Sequence, residues 1–123
     1  MASVIRCLML AGLLVESLSN PLFAQTSTVI PDAQAAQHVR QHITVAGIVV
    51  EVFTGIHGNT FLSFGAPYPH QTFTGWVPKG SPVAKDITLS SLKGKRVRIT
   101  GMIELDLGKP EIKINSMEQI TEG

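Results

Sequence analysis

The sequence predicts an all-β domain, a small sheet closed on itself, and three observations predict it. Five stretches between His42 and Asn115 are rich in Val, Ile, Thr and aromatic residues, the composition of strands. The clearest of them, residues 95–105 (KRVRITGMIEL), sets Val97, Ile99, Ile103 and Leu105 against Arg96, Arg98, Thr100, Met102 and Glu104. That is the period-2 signature of a half-buried strand. Clusters of Gly, Pro, Asn and Ser divide the stretches, and helical signals are short and peripheral.

The chain has 123 residues, the size of one domain. Residues 1–24 read as a signal peptide. Arg6 supplies a positive charge, residues 7–15 (CLMLAGLLV) an apolar run, and Ser17, Ser19, Asn20 and Pro21 a polar, helix-breaking end. Small Ala24 precedes polar Gln25, which places cleavage after Ala24, although Leu22 stands where another small residue is usual. An uncleaved anchor is the alternative, but the apolar run is short for a bilayer. The leader predicts a periplasmic or secreted protein. It takes with it one base, Arg6, and one acid, Glu16, so the net charge of +1 is unchanged. A dedicated phosphate-binding protein is usually more basic. The sole cysteine, Cys7, also lies in the leader, so the mature chain offers no disulfide, thiol nucleophile or thiolate metal site.

Residues 25–30 read as a flexible lead-in, and residues 31–123 as a single domain. Pro31, Asp32 and the Ala/Gln run that follows predict a short helix ending near Arg40. Residues 42–55 form a long first strand, apolar on both faces, with Gly47 predicting a bend or bulge. Residues 55–59 turn the chain, and residues 60–64 (TFLSF) form the second strand. A proline-rich loop leads to the third, residues 71–77 (QTFTGWV). Residues 83–92 hold a short helix between the third and fourth strands. The fourth strand, residues 95–105, turns at residues 107–110 into a fifth, residues 111–115, with Ile112 and Ile114 inward. Met117 and Ile120 are placed to cover an open end. This order, with its connection between strands three and four, is that of a five-stranded Greek-key OB-type barrel.

The stretches VAGIVVEV, GNTFLSFGAPYPHQTFTG and LKGKRVRITGMIELDLGKPEIKI resemble the OB-fold nucleic-acid-binding superfamily of the anticodon-binding and exonuclease VII type. They look closer still to small exported bacterial OB-domain proteins of poorly defined function. The resemblance covers about residues 30–120. It implies a ligand laid across the second and third strands, on Phe61, Ser63, Phe64, Thr72, Phe73, Thr74 and Trp76. Residues 55–59 and 106–110 would flank it. Strands two and three carry no Lys or Arg, a departure from a phosphate-binding pattern.

Phe61, Phe64, Tyr68, Phe73 and Trp76 gather in one short segment, and such rings either stack bases or fill a core. Alternation puts Phe73 and Val77 on one face of the third strand, the core face. Trp76 falls on the other, with Thr72 and Thr74. The pattern leaves open which of Phe61 and Phe64 faces outward. Lys93, Lys95, Arg96 and Arg98, with Lys109 and Lys113 in the next hairpin, supply a basic patch able to neutralise phosphates. Its competing role is a solvated strand face, diluted by Glu104, Asp106 and Glu111.

His38 and His42 are four apart, a zinc spacing on a continuous helix, but His42 falls where strand begins and no third ligand is near. No nucleophile-elbow, zinc-protease or Cys–His pattern is present, and Glu51 and Asp106 are isolated acids, so neither enzyme activity nor a cofactor is expected. Two binding readings follow. The first is an exported module for single-stranded DNA or RNA, with the rings as stacking platforms and the lysines and arginines on phosphates. The alternative is a periplasmic adaptor or inhibitor that binds an envelope protein or an oligosaccharide.

Overall fold

The computed structural model describes residues 28–123. The predicted leader and its cleavage site lie outside the described residues. Seven strands follow one another: β1 (Val29–Pro31), β2 (His42–Thr54), β3 (Thr60–Phe64), β4 (Phe73–Val77), β5 (Arg96–Asp106), β6 (Lys109–Lys113) and β7 (Ile120–Glu122). The sequence predicts five. The two extra strands have three residues each, too short for an alternating pattern to register, and β1 occupies part of the expected lead-in.

Pairing runs in a ring. β2 lies antiparallel to β3, and β3 to β4; β4 lies parallel to β6; β6 is antiparallel to β5, and β5 returns to β2. β1 adds parallel to β2, and β7 antiparallel to β5. The ring is possible because β2 and β5 are long, at 13 and 11 residues, and each pairs with different neighbours along its length.

A β-bulge makes β2 serve both halves. The register slips between Val49 and Glu51, leaving Val50 as an extra residue. Val45 and Val49 point into the core before it; after it the phase inverts, so Val52 packs inward while Glu51 and Phe53 turn outward. This is why both faces of the stretch are apolar, and it corrects the expected bulge at Gly47. That glycine is needed for close approach instead. A Cβ there would stand 2.5 Å from Asp32 Oδ1 and 3.0 Å from the Phe64 ring.

The predicted helix after Pro31 is a 3-10 segment, Asp32–His38, which buries only Ala35. Three-residue turns suit short connectors, and Arg40 (φ 70°) reverses the chain into β2. The connection between β4 and β5 holds two 3-10 segments, Pro82–Lys85 and Ile87–Leu92, rather than one helix. Ser81 Oγ accepts from the Val83 N–H, and Asp86 from the Thr88 N–H, so side-chain oxygens start both.

The core is the barrel interior. Leu62, Phe64, Phe73, Val77, Val97, Ile99, Ile103, Ile112 and Ile114 are all fully buried. The Phe64 and Phe73 rings meet at 5.2 Å, tilted by 59°. Phe64 thus belongs to the core, which leaves Phe61 as the outward ring of β3. Leu105, expected inward, is 54% exposed, because the end of β5 runs past the barrel into its hairpin.

One side chain locks the far end. Gln119 Oε1 accepts from the N–H groups of Asn115 (2.8 Å) and Ser116 (3.1 Å). Its Nε2 donates to the carbonyls of Lys113 (2.9 Å) and Thr100 (3.0 Å). All four hydrogen-bonding positions of the amide are used, holding β7 to the barrel. At a net 0.5–1.5 kcal/mol each, their loss in Gln119→Ala should cost roughly 2 kcal/mol or more. Exposed Glu118→Ala should change stability by less than about 0.5 kcal/mol. Urea denaturation followed through Trp76 fluorescence measures both.

Candidate ligand groove

The outer face of β3 and β4 is organised in two rows fixed by strand register. In one row Phe53 of β2 lies opposite Phe61 of β3, Phe61 opposite Trp76 of β4, and Trp76 beside Lys113 of β6. In the next, Glu51, Ser63, Thr74, Glu111 and Glu104 follow one another from β2 to β5. Cross-strand neighbours share a face, so rings and oxygen-bearing side chains stand side by side.

Between them lies a groove of about 420 Å³, within the range of small-ligand sites. Phe53, Phe61 and Tyr68 give it rings, Ser63, Gln71 and Thr74 give it polar atoms, and Glu51, Asp106 and Glu111 give it carboxylates. Lys109 is the only base in the lining. Tyr68 is 68% exposed and Phe53 56%. The Tyr68 loop is tied down by its own backbone, whose N–H donates to Glu51 Oε1 (3.3 Å). At the rim, Leu107 and Gly108 both adopt positive φ (52° and 81°) in the two-residue turn joining β5 to β6. Holding a leucine there costs roughly 1–2 kcal/mol and keeps an apolar side chain over the groove.

Electrostatics set the groove apart. Lys109 Nζ donates to the Gln71 carbonyl (3.3 Å) rather than to a carboxylate. Among the described residues the one side-chain ion pair is Lys95–Glu122 (3.9 Å), away from the groove. The groove's carboxylates thus outnumber its one base, and among the described residues none is ion-paired with it. Burial pushes the Glu111 carboxyl up to about 7, with the negative charges of Asp106 and Glu104 adding to the shift. Gln71, 5% exposed, donates from Nε2 to Thr74 Oγ1 (3.3 Å), while its Oε1 is buried with no partner.

The residues singled out in the sequence divide between three places. Phe61, Tyr68, Thr74 and Lys109 line the groove. Trp76 is half-buried on the same face, beyond the lining, with Lys113 Nζ 5.6 Å from its ring centre. Phe64 offers no face to a ligand. Thr72 is committed to structure: its hydroxyl donates to the Asp32 carboxylate and lies 3.1 Å from the Phe64 carbonyl. All four basic residues are exposed: Arg96 and Arg98 on β5, where it pairs with the first half of β2 and with β7, and Lys93 and Lys95 in the turn just before it. The fold does not bring them to the groove. His38 lies in the 3-10 segment and His42 opens β2, so the pair shares no helix face. Leu107 lies in the loop of residues 106–110 expected to flank the ligand, but sequence reasoning missed Phe53 and Gln71 and read Glu51 and Glu111 as an isolated and a diluting charge. Only the inverted phase of β2 after its bulge would have revealed Phe53.

No protein-family model matches the chain, and no curated protein does. Solved structures do. A Leishmania major chain described as an aspartyl-tRNA synthetase has a TM-score of 0.55 and 11% identity over 80% of this chain, which spans 21% of that protein's length. An OBody, AM1L10, bound to hen egg-white lysozyme has a TM-score of 0.57 and 17% identity, covering 80% of this chain and 94% of its own. A second OBody, AM3L09, bound to the same lysozyme, has 0.52 and 16%, covering 79% and 94%. These likenesses show an OB-type fold.

The raised Glu111 value carries a pH dependence of known sign. Between its ordinary 4.5 and about 7, the native state holds a proton that the unfolded chain releases. Stability gained from this group is present at low pH and lost as pH rises through that window. Glu111 is only partly buried, so the loss is on the order of 1 kcal/mol after solvent screening. Urea midpoints at about pH 5 and about pH 8 should fall in the wild type and differ less in Glu111→Gln.

Proposed function

We propose that this chain is an exported, non-enzymatic binding module, an OB-type ring with two added edge strands. Its groove on β3 and β4 holds a protein segment or an oligosaccharide rather than a nucleic acid. The observation that carries this reading is the groove's lining, in which three carboxylates face one lysine, Lys109, and none is ion-paired with it among the described residues, so the surface is net negative. A phosphate about 4 Å from one such carboxylate would be repelled by about 4 kcal/mol at an effective dielectric of 20. Stacking a base on a ring returns only about 1–3 kcal/mol. The OBody complexes support the protein arm, since a domain of similar fold is there bound to a protein. The leader-like sequence of residues 1–24 is what supports export.

A second reading rests on a different surface. Lys93, Lys95, Arg96 and Arg98 are all exposed, and among the described residues only Lys95 is paired, so the turn before β5 and its first residues favour weak contact with a nucleic-acid backbone. The two readings separate cleanly. Full-length protein is titrated with a mixed-sequence single-stranded DNA, following both Trp76 emission and DNA anisotropy at low salt and at about 0.2 M. The groove reading expects unchanged Trp76 emission. Any rise in anisotropy should disappear at the higher salt and in the quadruple variant of those four residues to Glu. Saturable Trp76 quenching by DNA would overturn it.

A further inference from the structure

Resting on the groove reading above, we infer that the occupant is a cationic peptide side chain, an arginine guanidinium, held between rings and carboxylates. The groove combines what that group needs. Guanidinium carries five N–H donors in a rigid plane and no acceptor. It stacks on aromatic faces and takes carboxylates in paired, charge-assisted hydrogen bonds.

Phe53, Phe61 and Tyr68 supply the faces, and Glu51, Asp106 and Glu111 supply the charge. Those carboxylates come from β2, β5 and β6, so three strands converge on one place where Lys109 is the one cation in the lining to offset them. The second, independent observation is Gln71. Its side chain lines the groove and is almost fully buried, yet Oε1 accepts nothing from the protein. A buried acceptor left unmatched is costly, and a small turn of the Gln71 side chain toward the groove it lines would let an entering N–H donor match it.

The surplus in this site is of acceptors. Among the groove's side-chain oxygens, the Thr74 hydroxyl accepts from Gln71 and one Glu51 oxygen from the Tyr68 backbone. A neutral sugar would use acceptors and donors alike and gain nothing from the net negative charge. A phosphate-bearing ligand would be repelled. An arginine in an extended segment uses both the charge and the rings, and the volume of about 420 Å³ leaves room for the residues beside it.

The groups that face Glu111 are Glu51, Ser63, Gln71 and Thr74 across the groove, and Glu104, Asp106 and Lys109 on its own hairpin. Since Glu111 charges near neutrality, arginine binding should strengthen between about pH 6 and about pH 8 in the wild type and not in Glu111→Gln.

The test is an amide-shift titration of full-length, nitrogen-15-labelled protein by NMR. The probes are acetyl-Gly-Arg-Gly-amide, its citrulline twin, which is isosteric and uncharged, and chitotriose. The arginine peptide should shift Glu51, Phe61, Thr74 and Glu111 saturably, with the citrulline twin at least about tenfold weaker. Glu51→Gln and Glu111→Gln should each weaken the arginine peptide while leaving amide shifts away from the groove in place, which shows that they fold. Equal binding of the twin, or engagement of the groove by chitotriose alone, would overturn the inference and leave the groove reading standing. If no probe moves a groove amide, the inference falls. If DNA also quenches Trp76, the groove reading falls with it.

Discussion

The domain rests on the pairing of β2 with β5. Seven residues of each are in register, from His42 with Met102 to Ile48 with Arg96. The strands then part, β2 to pair with β3 and β5 to pair with β6. A ring of short strands closes only if some strands serve two neighbours in turn, because closure requires tilt and stagger. The shared length of β2 and β5 provides it. From that closure follow the dry interior, the inward set of Val, Ile, Leu and Phe, and the coverage of edges that would otherwise invite association. The two remaining edges of the shared segment are taken by β1 and β7.

Much of this was legible in the residues, and the failures have physical causes. β3 matches its predicted bounds because turn clusters flank it on both sides. Phe73 in the core and Trp76 on the outer face follow from simple alternation. The 3-10 character of the connectors was hidden, since Ala, Gln and Ser report helical tendency but not how tightly a short segment winds. The bulge at Val50 was hidden because β2 is apolar on both faces, so a change of phase leaves no mark on its pattern. The groove was partly hidden for the same reason. Glu51, Asp106 and Glu111 read as separate or merely diluting charges along the chain, and only the ring brings them together.

The near-neutral composition conceals a separation of charge. Arg96 and Arg98 on β5, with Lys93 and Lys95 in the turn before it, form one cluster, while Glu51, Glu104, Asp106 and Glu111 gather around the groove and outnumber Lys109 and Lys113 there. Charges within a few ångströms of one another act as a group, while groups farther apart than the Debye length of about 8 Å are screened at physiological salt. The groove and the basic cluster before and on β5 thus differ in local charge, and the overall charge of +1 describes neither.

The bulge in β2 also bears on how such a surface changes over generations. Beyond Val50, groove residues and core residues alternate one by one along each strand. A point mutation at Glu51, Phe53, Phe61 or Ser63 rewrites the ligand face and leaves the adjacent core position intact. Deleting Val50 would remove the bulge itself and leave Glu51 and Phe53 outward, whereas deleting one residue beyond it, Glu51 or Val52, would turn Phe53 toward the interior. Past its bulge the scaffold is therefore permissive to substitution and brittle to length change at the same few positions. Lineages built on it would diversify what they bind by exchange of side chains, with β2 beyond Val50 held to a fixed number of residues.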